Sequence, residues 1–170
     1  MFKKYFYPPI ALTAVCVIIA FMLSAVNNFT KPVIEAGLSS EEDMARSELL
    51  PEAERFEEIE VEGIENLLSV YKAENGAGYV FTVKAKGFAG DIVVLTAISD
   101  GKIVGVRMTE HNETSGYGSR AADDNYDYTS QYKGVGKDLE GVKIISGSTY
   151  TSRAFEKAVK TAFDAYGRVE

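Results

Sequence analysis

Five hydroxyl side chains crowd one short stretch of the chain: Ser146, Ser148, Thr149, Thr151 and Ser152, with Gly147 and Tyr150 between them. An alcohol can be esterified, and it can also hydrogen-bond an anion. Just downstream, Ala154, Phe155, Ala158, Val159, Ala162, Phe163 and Tyr166 recur at the spacing of one face of an amphipathic helix. Just upstream, Val142–Ile145 is a short apolar run expected as a buried strand. The cluster therefore falls on a predicted strand-to-helix turn, with Thr151 or Ser152 as the N-cap. Unpaired N–H groups and a partial positive charge at a helix start suit a phosphate. The spacing alone also describes an ordinary well-capped helix, because hydroxyls are common at helix starts.

A second candidate region is the long connection over residues 110–136, EHNETSGYGSRAADDNYDYTSQYKGVG. Connections of this length in compact domains are often functional. Ser115-Gly116-Tyr117-Gly118 supplies flexible backbone, and Ala121–Lys133 is predicted to hold a short helix closed by Gly134. Tyr117, Tyr126, Tyr128 and Tyr132 have faces for a planar ring, but at least two of them are expected to pack the loop down. His111 is the single histidine. It reads as a strand-end residue, since one histidine without a cysteine partner makes no metal site. No catalytic base, metal set or nucleophilic triad is visible, so the chain alone is expected to convert no substrate.

These two regions need a scaffold to bring them together. Leu67–Ala73, Tyr79–Lys86, Asp91–Ser99 and Ile103–Met108 read as four strands joined by short turns at Asn75-Gly76, Gly87–Gly90 and Ser99–Lys102. The third of these strands is apolar on both faces and should be central. Phe56–Glu65 is acidic and weakly patterned. Glu35–Leu49 is predicted helical, capped at Ser39 or Ser40 and ended by Pro51. The fold class expected is α+β: one N-terminal transmembrane helix, then a single domain with an antiparallel sheet packed by helices.

The transmembrane expectation rests on Ile10–Val26, a run without charge. With its flanks it reaches the length needed to cross a bilayer. Tyr5, Phe6, Tyr7 and Phe29 stand where interfacial aromatics belong. The expected boundaries are a short cytoplasmic tail over 1–7, a span over 8–29 broken by Asn27–Pro32, and an extracytoplasmic domain over 33–170. Lys3 and Lys4 favour the N-terminus inside. A cleaved signal peptide is the rival reading. The chain carries a net charge of −7; beyond residue 33 it holds 15 basic and 25 acidic side chains, a balance of −10. That acidity argues against a nucleic-acid surface. Cys16 is the single cysteine, so no disulfide within the chain, zinc cluster or iron–sulfur cluster is expected.

Residues 146–152, SGSTYTS, resemble the flavinylation signature of the covalent FMN-binding domain family. In that family a threonine hydroxyl forms a phosphoester with the FMN phosphate, and the corresponding residue is Thr149. Ser148 stands where the family has Ala, and Lys143 where an Asp is common. Residues 78–121 resemble the body of the G subunit of the Rnf electron-transport complex, including HNETSGYG at 111–118 against a HNETPGLG-type loop. The NNFTKP run after the anchor is also usual there. The C subunit of the sodium-pumping quinone reductase is related but typically longer.

The resemblance implies covalent FMN on Thr149, with Ser146, Gly147, Ser148 and Thr151 around the phosphate. It puts Glu113, Thr114, Tyr117 and Gly118 near the ring system. It also implies an electron-carrier subunit of a membrane ferredoxin:NAD oxidoreductase that moves sodium ions or protons. The implied partners are other membrane subunits, including a second flavin-bearing one, a flavin transferase and the lipid bilayer. Alternative readings are a stand-alone membrane-anchored flavoprotein of extracytoplasmic electron transfer and a flavin-free assembly or binding module. Flavin retained after denaturation separates the last from the others. Co-purification with multi-spanning partners separates a complex subunit from a stand-alone carrier.

Overall fold

Turn chemistry and strand alternation build the sheet. Asp100 and Gly101, at φ of 49° and 69°, close a two-residue hairpin. Antiparallel strands need that turn twist, and an Asp-Gly pair adopts positive φ at low cost. In the computed structural model the backbone is described for residues 2–169, and side-chain surroundings for 12–27, 30, 42–123 and 125–169. The chain divides into two units, Met1–Glu41 and Glu42–Glu170.

The first unit is helical, part of α1 (Phe2–Leu49). Its apolar side chains are exposed, among them Leu12, Val15, Ile18, Phe21 and Leu23. Among the described residues no helix is long and apolar enough to cross a membrane. The side chains of 2–7 in the expected tail, and of 8–11, 28 and 29 in the expected span, lie outside the described residues. So do those of Ser39 and Ser40, but the helix start expected there is corrected, since the backbone of α1 runs through both. The expected break at Asn27–Pro32 is corrected: α1 continues through it. Proline's fixed φ is already helical, and its penalty is confined to one lost backbone bond and one crowded carbonyl, so flanking helical residues carry the chain past it.

The second unit holds five antiparallel strands in sequential order: β1 (Phe56–Glu58), β2 (Leu67–Ala73), β3 (Tyr79–Lys86), β4 (Asp91–Ser99) and β5 (Lys102–His111). Four were expected. The fifth, β1, pairs Phe56 with Ala73 on the outer edge of β2. Three residues are too few for an alternation to show in sequence. β4 is buried on both faces from Ile92 to Ile98, as its apolar run requires.

Helix α2 (Thr149–Val169) lies across one face of the sheet. Its Phe155, Val159 and Phe163 pack with Phe81, Val83, Val94 and Ile98. On the opposite face Val80, Val93, Leu95 and Ala97 are covered by Ala45, Leu49 and Leu50, from the last turn of α1 and the residue after it. This second core makes a three-layer arrangement within the unit. Arg46, 3 % exposed, sits 3.8 Å over the Tyr71 ring and pairs with Asp43 at 3.0 Å.

Burial raises the Glu42 carboxyl above its ordinary value of 4.5; Arg46 pulls it back, and Glu110 and Asp43 push it up further. A carboxyl of raised pKa binds its proton more tightly in the folded than in the unfolded chain. Stability therefore falls as pH rises from the ordinary glutamate value through the raised one. Glu42→Gln is expected to raise the thermal midpoint at neutral pH and to leave it unchanged below about pH 4. A midpoint that drops at neutral pH would show that the contact with Arg46 outweighs the burial.

Two local expectations are corrected. Val142–Ile145 is not a strand. The outer edge of β5 at Ile103 is already occupied, with Gly134 donating to its carbonyl at 2.7 Å and its N–H donating to Val135 at 3.0 Å. The Lys143 backbone bonds the Gln131 side chain instead, donating to Oε1 at 2.8 Å and accepting from Nε2 at 3.1 Å. Ala121–Lys133 holds no α-helix but short 3-10 turns: Gly118–Ala121, Asp124–Tyr126 and Thr129–Tyr132. The reason is packing. Tyr128 and Tyr132 turn into the core against Phe155, with their hydroxyls 2.9 Å apart. Burial, first of all, raises both phenols above the ordinary tyrosine range.

Candidate functional site

Antiparallel register puts three segments at one end of the sheet. Lys86 faces Asp91 and Ile92 faces His111, so the β3–β4 turn and the exit of β5 lie side by side. The start of α2 reaches the same end. Phe88 from the turn, Glu113, Thr114, Tyr117 and Gly118 from the exit, and Gly147 to Thr151 from the helix start line a cavity of about 470 Å³.

The tie between the segments is Glu113, 8 % exposed. Its Oε1 accepts from the N–H groups of Phe88 at 2.8 Å and Ala89 at 3.1 Å. Its Oε2 accepts from the Thr151 hydroxyl at 2.6 Å. Charge-assisted bonds of this kind are short and strong. Gly118 makes room for the tie: a Cβ there would collide with Glu113 Oε2 and Thr151 Oγ1. Gly147 has φ of +80° and reverses the chain into α2, with the Tyr117 ring lying against it.

This geometry corrects the expected helix cap. α2 begins at Thr149, so the N-cap position is Ser148, whose carbonyl accepts the first helical bond from Ser152 N–H at 3.0 Å. Thr151 is committed to Glu113, and the Ser152 hydroxyl accepts from Ile145 N–H at 3.0 Å. Both side chains are buried in tertiary hydrogen bonds rather than closing the helix end.

The expected site residues Glu113, Thr114, Tyr117, Gly118, Gly147, Ser148, Thr149 and Thr151 all line the cavity. Ser146 is exposed and stands outside it. Of the four loop tyrosines, Tyr117 faces the cavity, Tyr128 and Tyr132 pack inward, and Tyr126 is half-exposed with the Arg120 guanidinium 4.6 Å from its ring. Two lining residues were not anticipated. Phe88 and Tyr150 are 71 % and 73 % exposed, with ring centroids 6.2 Å apart at the rim. The sequence signal was a large aromatic inside a glycine-bounded turn, where an apolar ring has no core to fill.

The FMN-binding domain family matches residues 87–164, which span the β3–β4 turn, the β5 exit and most of α2. The chain is 30% identical over 162 residues to the G subunit of the proton-translocating ferredoxin:NAD(+) oxidoreductase complex of Clostridium ljungdahlii, covering 90% of this chain and 86% of that protein. It is 32% identical over 191 residues to the G subunit of the Na(+)-translocating ferredoxin:NAD(+) oxidoreductase complex of Acetobacterium woodii, covering 96% and 92%. The G subunit of the ion-translocating oxidoreductase complex of Stutzerimonas stutzeri is 27% identical over 98% of this chain and 82% of its own length. With these likenesses over nearly its whole length, the chain belongs to the family of G subunits of ion-translocating ferredoxin:NAD(+) oxidoreductase complexes.

Proposed function

We propose that this chain is an FMN-bearing electron-carrier subunit of a membrane ferredoxin:NAD oxidoreductase that couples electron transfer to movement of sodium ions or protons. The observation that carries the reading is the convergence of the hydroxyl turn and the 113–118 loop on one cavity. The residues fit the cofactor. About 470 Å³ is the size of an ordinary small-ligand site. Phe88, Tyr117 and Tyr150 have ring faces for a planar heterocycle. The open start of α2 provides N–H groups for a phosphate.

When bound, FMN supplies one- and two-electron redox chemistry, and the protein supplies position and electrostatics. Thr149 is the ester position: its side chain is exposed at the first turn of α2, and no protein hydrogen bond engages its hydroxyl among the described residues. Glu113 does not reach for the ring with a free oxygen, since both oxygens hold protein donors. Its part is to position the Phe88 turn and the start of α2 around the cavity. Arg153 is exposed and does not line the site.

The domain over 33–170 stands outside the cytoplasm, anchored by a span over 8–29 with residues 1–7 inside; the uncharged run Ile10–Val26 and the Lys3/Lys4 tail support this. Its partners are other membrane subunits, one with a second flavin, and a flavin transferase that installs the cofactor. Purification of the full chain in mild detergent should bring down multi-spanning partners. Denaturation of the product should leave FMN on the polypeptide, and protease added to intact spheroplasts should digest the domain. Flavin released completely on denaturation sinks the covalent reading; protection of the domain until lysis reverses the topology.

A further inference from the structure

A positive charge stands behind one wall of the cavity. Arg120 lies in the 3-10 turn Gly118–Ala121, whose first and last residues are buried. Its guanidinium carbon is 4.6 Å from the centre of the Tyr126 ring and 5.9 Å from that of Tyr117. A guanidinium set against aromatic faces is held there by the ring quadrupole and by stacking. Tyr117 is itself part of the cavity wall. The Arg120 side chain is half-buried, and among the described residues it makes no ion pair, unlike Arg46, Lys84, Arg107 and Lys137. Glu113 is the one charged residue among those lining the cavity. Its carboxylate is buried there and disfavours any further negative charge beside it.

We propose that Arg120 sets the redox potential of the flavin: its charge, held behind Tyr117, favours the reduced ring over the oxidised one. This rests on the cavity being the FMN site. Two electrons taken up with one proton leave the ring one negative charge richer. A fixed cation near the cavity stabilises that charge, and the Glu113 carboxylate opposes it. Arg120 thus offsets the anion that ties the site together. The two tyrosines keep the guanidinium against the wall, where its field is screened less than that of a fully solvated side chain.

The test is a spectroelectrochemical titration of the FMN-loaded full chain in detergent, run on the parent, Arg120→Gln and Arg120→Lys. Arg120→Gln removes the charge, whereas Arg120→Lys keeps it and gives up the planar fork. The glutamine variant should titrate lower by about 30 mV, a tenfold shift in the equilibrium between oxidised and reduced flavin. The lysine variant should stay close to the parent. A purely structural role, in which Arg120 only packs the two tyrosines, would lower the potential of both variants equally and lower both thermal midpoints; that result would overturn the proposal. So would equal potentials in all three chains, or a higher potential in Arg120→Gln. A parent chain that takes up no FMN would overturn the functional reading along with it. A loaded parent with an unmoved glutamine variant would overturn the role of Arg120 alone.

Discussion

Replacing Thr149 with alanine is expected to remove all covalently held FMN and to leave the domain folded. Chemistry alone does not choose among the hydroxyls of residues 146–152, since any alcohol forms a phosphoester. The structure sorts them by what each is already doing. Thr151 donates to Glu113 and Ser152 accepts from Ile145, both in buried bonds. Ser148 is buried, and Ser146 is exposed but outside the cavity. Thr149 alone among the five is both exposed and on the cavity wall. As an exposed residue in the first turn of α2, it should cost no more than about 0.5 kcal/mol on truncation. Mass spectrometry of the tryptic peptide beginning at Ile144 reads the flavin, and thermal melting reads the fold. Flavin surviving in Thr149→Ala would end the assignment.

Glu113→Ala is expected to be the most damaging single change at the site. It strands two N–H groups and the Thr151 hydroxyl at once. Bonds to a charged acceptor contribute about 1.5–3 kcal/mol each and do not simply add, so a loss of about 3 kcal/mol is expected. Glu113→Gln keeps the shape and an acceptor for Phe88 and Ala89, and the Thr151 hydroxyl rotates to accept from the new amide. Its loss should be about 1 kcal/mol. Thr151→Val should fall between the two, at about 2 kcal/mol. Gly118→Ala probes the same contact from the opposite side, because its new Cβ meets Glu113 and Thr151 together. Flavin loading should fall in the same order as stability. An alanine at 113 that melts like the parent chain would show that the three bonds hold nothing in place.

The Glu113 tie also explains why a family-like motif reads as two separated runs. Residues 111–118 and 146–152 are separated by the three 3-10 turns and their packed tyrosines, yet one carboxylate joins them. The hydroxyl that a local reading assigns to the helix cap is instead the partner of a residue 38 positions earlier.

What the residues determined by themselves was local. The alternation of Tyr79–Lys86, the Asp100-Gly101 hairpin and the apolar face of Phe155, Val159 and Phe163 each state their own structure within a few residues. The hydroxyl-rich turn before α2 and the 113–118 loop were legible for the same reason, through residue type at short spacing. Tertiary structure decided the rest. It left Val142–Ile145 without an edge to join, because Gly134 and Val135 had taken it. It covered the second face of the sheet with Ala45, Leu49 and Leu50, and it brought Phe88 to the rim beside Tyr150. It moved the start of α2 to Thr149 and sent Thr151 to Glu113. Each of these depends on which group reaches a buried donor, acceptor or apolar surface first, a competition between segments far apart in the chain.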